Sequence, residues 1–230
     1  MNIIICASPG SASNSLLLRF EKIMKTKSTS FRSGGGIGHL ALNVGAKYRI
    51  LNKIDLNKFK RNNLIYQHFF PTKKNIKLIN YYFKNIQFVI TYRNIYDQIN
   101  YFYKRSELYG RCPLSFHTLE NKIKSNNKFK IDYNDIDLNL DLVLNFYKMW
   151  FYLIQNKKIK SYELLSFDEI VNCNSNYQEK LQRIFKKKYK QIDLKKNIHM
   201  EKKYSIIDRH YDKVKNFISD NHNIDFKLIV

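Results

Sequence analysis

The sequence predicts an α/β fold in which a mostly parallel central sheet is flanked by helices. Two short runs, Asn2–Ala7 and Ile86–Tyr92, are apolar at successive positions. A strand apolar on both faces is one covered on both faces, which is the habit of parallel sheets. Each run is followed by a stretch of helical period, and strands alternating with helices make parallel crossovers. No internal repeat or long linker interrupts the alternation, so residues 1–230 read as one domain.

The first strand stops at the turn-forming cluster Ser8-Pro9-Gly10-Ser11. Leu16, Leu17, Phe20, Ile23 and Met24 then recur at helical spacing. Residues 28–38 read as a loop ending in Gly34-Gly35-Gly36-Ile37-Gly38. Residues 64–66 form a second short strand leading into His68 and Pro71, and residues 74–83 are helical in character. The strand at 86–92 runs into Arg93-Asn94 and a helix over 95–109. Residues 110–135 are polar and contain Pro113, which predicts an irregular surface insert. Apolar residues at 138, 142, 146, 149, 150 and 153 predict a helix over 138–155, and 162–167 is a strand. Two amphipathic helices, 177–188 and 202–220, complete the chain, with 195–230 a helical C-terminal extension.

Apolar residues make up 44% of the chain and aromatic residues 15%, which excludes global disorder. The formal charge of +22 suits anionic partners such as nucleic acid, phosphate esters, acidic glycans or a membrane face. Compositional drift toward Lys, Asn and Ile accounts for it equally well. Cys6, Cys112 and Cys173 are odd in number and far apart, which argues against a disulfide framework or a structural zinc site. With no basic leader and no apolar run of membrane-spanning length, a cytoplasmic protein is expected.

Three polar constellations follow strands. In Ser8 to Ser15, small residues stand between a strand and a helix, where backbone N–H groups and the helix dipole favour an anion. The alternative is that Ser13 or Asn14 simply caps the helix. The loop is not a Walker A motif, since no Lys closes it. Arg93 leaves the C-terminal end of a strand, the edge where open α/β sheets bind ligands, and can grip a phosphate with two parallel bonds. It could equally pair with Asp97 four residues on. His68 follows a strand to the same edge, where a side chain of ordinary pKa near 6.5 can act as a base; packing among its aromatic neighbours is the other possibility. His39, after the glycine run, is a secondary base candidate.

In this order the segments resemble the sulfotransferases that use 3′-phosphoadenosine 5′-phosphosulfate. Pro9-Gly10-Ser11-Ala12-Ser13-Asn14-Ser15-Leu16 is similar to that family's phosphosulfate loop. His68 to Pro71 is similar to its catalytic His segment, and Arg93-Asn94-Ile95-Tyr96-Asp97 to its 3′-phosphate segment. Phe167-Asp168-Glu169 is similar to a later strand-end signature, so the likeness covers roughly residues 2–190. The resemblance implies a P-loop-containing nucleotide hydrolase-like architecture of the sulfotransferase kind. It implies that Gly10, Ser11, Ala12, Ser13, Asn14 and Ser15 hold the 5′-phosphosulfate. Arg93 and Tyr101 would hold the 3′-phosphate, and His68 would take the acceptor proton. The co-substrate is the phosphosulfate nucleotide, no metal is implied, and the acceptor is an unidentified hydroxyl or amine, with a carbohydrate or lipid head group favoured. The alternative from another class is a basic nucleic-acid-binding protein, supported by the charge of +22 and the many Tyr and Phe; with no recognisable module present, nucleic acid is not the expected partner, and no transmembrane segment is expected.

The sequence departs from the family's pattern in four places. Gly10 stands where the loop carries Lys or Arg, Ala12 replaces Gly, Ile95 replaces Pro, and Tyr101 replaces a Ser. A cation at the bridging oxygen stabilises charge that develops only in the transition state. Lys73 and Lys74 are the candidates to supply it in space; otherwise the chain binds the nucleotide without transferring from it.

Overall fold

The computed structural model describes residues 1–8, 10–26, 29–30, 42–43, 47–48, 64–67, 71–110, 129–186 and 203–230. The sheet-forming strands are β1 (Asn2–Ala7), β2 (Thr29–Ser30), β5 (Leu64–Gln67), β6 (Ile86–Tyr92) and β7 (Tyr162–Ser166). They form one parallel sheet in the order β2-β5-β1-β6-β7. β3 (Leu42–Asn43) and β4 (Lys47–Tyr48) pair separately as a small antiparallel ladder. The α/β expectation with a parallel, helix-covered sheet holds. No helix among the described residues is long and apolar enough to cross a membrane.

The helices are α1 (Ser13–Met24), α2 (Lys73–Tyr82), α3 (Ile95–Tyr109), α4 (Tyr133–Gln155), α5 (Phe167–Asn172), α6 (Ser175–Phe185) and α7 (Asp208–Asp220). Alternation along β1 explains its two-faced apolarity. Ile3, Ile5 and Ala7 pack with Leu16 and Phe20 of α1, Ile170 of α5 and Leu181 of α6. Ile4 and Cys6 face the other layer, with Ile79 of α2, Ile99 of α3, Trp150 of α4 and Val214 of α7. The sheet therefore lies between two helical layers, and β1 is buried at its centre.

Side-chain caps set most helix starts. Thr72 accepts from the Asn75 N–H, and Asn94 from the N–H groups of Tyr96 and Asp97. Ser166 and Glu169 form a reciprocal capping box on α5. Three boundaries differ from expectation, the first being the helix expected over 177–188, which runs Ser175–Phe185 with Lys186 as its C-cap. Residues 133–135, read as part of the irregular insert, are the first turn of α4, because Asp132 accepts from the Asn134 and Asp135 N–H groups; residues 111–128 lie outside the described residues. The last helix begins at Asp208 rather than 202, and residues 203–207 are not helical.

The C-terminal segment is built into the core. His210 of α7 is fully buried, with Nδ1 2.7 Å from the Tyr103 hydroxyl of α3 and Nε2 3.4 Å from Asp137 Oδ1 of α4. Tyr103 also accepts the Ile207 N–H. A neutral ring protonated at Nε2 takes the Tyr103 O–H at Nδ1, while Nε2 lies near Asp137 without a hydrogen bond to it. Asp137 already receives Arg209 and Lys213. Burial, with the positive charge of Arg209 and Lys213, holds the His210 pKa below its ordinary value against the opposing pull of a bond to the Tyr133 backbone. The unfolded ring binds its proton at about pH 6.5 and the folded one only at lower pH, so the stability His210 contributes is present above that pH and is lost as pH falls through it. The urea midpoint should therefore decline between about pH 6.5 and 5. A His210→Gln variant should show a flatter profile over that interval; an equally steep decline in the variant would assign the acid sensitivity elsewhere.

Candidate active site

The chain leaves β1 toward β2 on one side of the sheet and leaves β6 toward β7 on the other. The crevice at the C-terminal ends of β1 and β6 is therefore the topological switch point, where open α/β sheets place ligands. Ala7 pairs with Thr91 across that end, so the segments after both strands start side by side.

The loop after β1 turns sharply. Gly10 has φ 77° and Ala12 has φ 58°. The Ser11 N–H donates to the Ser8 carbonyl at 3.3 Å. Ser11 is buried, and its hydroxyl bonds the Ser8 carbonyl and the Thr91 hydroxyl. That residue braces the loop against β6. Helix α1 starts from Ala12 with no side-chain cap, so neither Ser13 nor Asn14 acts as its N-cap. The first N–H groups of a helix have no intrahelical acceptor, and here no cap side chain supplies one. Ser15 is exposed on the first turn.

Arg93 is 7% exposed and folds back onto this loop. Its Nη1 donates to the Gly10 carbonyl at 3.1 Å, and its guanidinium lies 4.0 Å from the centre of the Phe167 ring, at the start of α5. The end of β7 thus closes the crevice beside β6. Tyr101 lies on α3, eight residues after Arg93, and its ring rests on Gly10: a Cβ built there would stand 2.6 Å from Cδ1 and 2.9 Å from Cε1. The two departures at positions 10 and 101 are therefore one contact, in which an aromatic ring occupies the space a side chain at position 10 would enter.

Beneath the loop sits Tyr147 of α4, wholly buried. Its hydroxyl donates to Gln98 Oε1 at 2.9 Å and accepts the Arg93 N–H at 3.1 Å. With its one proton given to Gln98, it also accepts from the Ser8 hydroxyl at 2.7 Å. Burial pushes the phenol pKa up to about 12, against the opposing pull of its bonds to Ser8 and Arg93, so it stays neutral. Glu169 is not a free carboxylate: Lys180 reaches its Oε1 at 2.7 Å while the same side chain closes the α5 capping box.

Of the sequence-predicted site residues, the structure brings Gly10, Ser11, Ala12, Arg93 and Tyr101 together at one crevice. The backbone of Ser13, Asn14 and Ser15 forms the first turn of α1 beside them. His68 and His39 lie outside the described residues. Lys73 and Lys74 begin α2 with exposed side chains. Tyr147 and Gln98 were not singled out from sequence, and no role at the crevice was read for Thr91 or Phe167. Each sits in a run that reads as apolar or helical, and only the fold shows which polar atom meets which. No protein-family model matches the chain, and no curated protein matches it.

Proposed function

We propose that the chain is a sulfotransferase that takes its sulfuryl group from 3′-phosphoadenosine 5′-phosphosulfate bound across the β1–β6 crevice. What carries this proposal is the bond from Arg93 to the Gly10 carbonyl, which links the loop after β1 to a guanidinium after β6. In the proposed complex the N–H groups opening α1 hold the 5′-phosphosulfate, and the Arg93 guanidinium contacts the 3′-phosphate. The co-substrate supplies an activated sulfur–oxygen bond. The acceptor oxygen forms a bond to sulfur, the bond from sulfur to the 5′-phosphate oxygen breaks, and His68 takes the acceptor proton. The leaving bisphosphate needs positive charge, for which Lys73 and Lys74 are the candidates. The acceptor is a hydroxyl or amine, with a carbohydrate or lipid head group the favoured class. The site is proposed to work without a metal.

The Tyr101–Gly10 contact favours a second reading, a nucleotide-binding protein of the same architecture that has lost transfer. Both readings require binding. Adenosine 3′,5′-bisphosphate at about 100 times its Kd should stabilise the fold by about 2.7 kcal/mol, roughly 5–10 °C in Tm. Arg93→Lys keeps a charge but not the fork, and should lose most of that shift. Absence of any shift at millimolar nucleotide overturns both readings. Binding without transfer from a radiolabelled sulfuryl donor to any acceptor selects the second.

A further inference from the structure

A cluster of cations stands away from the switch-point crevice. The N-terminal ends of the strands form the opposite rim, where the turns α2–β6 and α4–β7 lie side by side. The Asn2 N–H donates to Asn85 O at 3.1 Å and its side chain to Lys84 O at 2.9 Å. Across β6, the Phe88 N–H donates to Ser161 O at 3.1 Å, and the Ser161 hydroxyl bonds Gln87. These bonds place Lys84 in one turn beside Lys157, Lys158 and Lys160 in the other, all four exposed.

No Asp or Glu occurs from Lys73 to Tyr96 or from Leu142 to Tyr162. The carboxylates flanking the rim are engaged. Glu163 receives Arg183 through two bonds of 3.1 and 3.0 Å, and Asp225 accepts the Lys227 N–H. At the crevice edge the first turns of α3, α4 and α5 carry Asp97, Asp135 and Asp168 instead. Four full charges also exceed what complements two helix C-termini, each worth about half a charge.

Aromatic rings stand within the same rim. Tyr81, in the last turn of α2, is 80% exposed, and Tyr162, first residue of β7, is 37% exposed. Beside them only Met1, ahead of β1, adds a large exposed aliphatic side chain among the described residues of the rim, at 50% exposure. A surface that inserts into lipid presents Leu, Phe or Trp beside its cations, whereas flat rings beside a row of cations fit bases stacked along a phosphate chain.

We propose that this rim binds single-stranded nucleic acid, with Lys84, Lys157, Lys158 and Lys160 neutralising phosphates and Tyr81 and Tyr162 offering ring faces to bases. The sequence contains no recognisable module for this, because the cations come from two segments far apart in the chain. The inference is independent of the nucleotide site.

The test is fluorescence anisotropy of a labelled oligouridylate of about 15 nucleotides with the full chain. Affinity should fall with salt at a log–log slope near −3, about −0.7 for each of four phosphates. Lys157→Glu with Lys158→Glu and Lys160→Glu should weaken binding at least tenfold and bring the slope near −1. Charge reversal at exposed Lys130, Lys203 and Lys215, matched in number, should have a much smaller effect. Tyr81→Ala should weaken oligouridylate binding at least about fivefold and leave heparin binding unchanged. Equal losses in the two triple variants, no binding at low salt, or a stronger rim-dependent preference for phosphatidylserine vesicles would each overturn the proposal. All the substituted side chains are exposed, so unchanged thermal melts separate these outcomes from misfolding.

Discussion

Gly10→Lys will cost the fold about 3 kcal/mol in the native background and only about 1 kcal/mol in a chain that also carries Tyr101→Ser. Two effects act at position 10. Its φ of 77° is a left-handed conformation, which charges an L side chain about 1–2 kcal/mol. The new Cβ would also meet the Tyr101 ring at 2.6 Å. That ring packs against the core cluster through α3, so it cannot swing aside without unpacking, and overfilling of this kind costs about 1–3 kcal/mol. Tyr101→Ser removes the second effect and leaves the first. A double-mutant cycle by urea denaturation should thus show a coupling of about 2 kcal/mol, and additive losses would mean that the ring does not occupy this space. The double variant also bears on function. It puts an ammonium on the loop where a transferring enzyme needs charge at the leaving oxygen, so turnover should rise roughly 100-fold over the native chain if the crevice handles a sulfuryl donor. A tighter-binding but inert double variant would instead favour a nucleotide-binding protein without transfer.

What the sequence makes legible is what depends on local order. The apolar run in β1, the strand at 86–92 and the helical period of α1 and α3 each follow from neighbouring residues, whereas the pairing of β1 with β6 does not. The pairing of Gly10 with Tyr101 was not legible as a contact. The sequence marks both as departures but gives no sign that the ring fills the space beside the glycine. Residue 133 was assigned to an irregular insert because Asn and Lys dominate the preceding stretch, while the single Asp132 that caps α4 weighs little in composition. Ser11 was expected at a ligand, yet its hydroxyl is committed to Ser8 and Thr91, a use that depends on β6 arriving beside the loop. Lys84 and Lys160 lie far apart in sequence, and only the alignment of β1, β6 and β7 brings their turns to one rim.

Tyr147→Phe should destabilise the protein by about 2–4 kcal/mol although it removes one oxygen atom. Phe would preserve the ring's packing, including its stack on Phe151 with centroids 5.7 Å apart, so the loss reports the hydroxyl alone. That hydroxyl serves three partners in a site with no water access: Gln98 accepts from it, and Ser8 and the Arg93 backbone donate to it. A buried polar group left without its partner costs about 1–3 kcal/mol, and Gln98 and the Arg93 N–H have fixed positions from which to seek replacements. The consequence reaches the crevice, because the Arg93 backbone and the Ser8 turn are the two ends of the Arg93–Gly10 clasp. Bisphosphate affinity should therefore fall by roughly tenfold in Tyr147→Phe, more than in a variant of equal destabilisation made elsewhere in the same core, such as Val214→Ala on α7. Calorimetric titration of both variants with adenosine 3′,5′-bisphosphate decides the matter: equal affinities would make Tyr147 a stabiliser of the fold and nothing more, whereas a loss confined to Tyr147→Phe would make this hydroxyl the group that holds the loop and the guanidinium in register for their ligand.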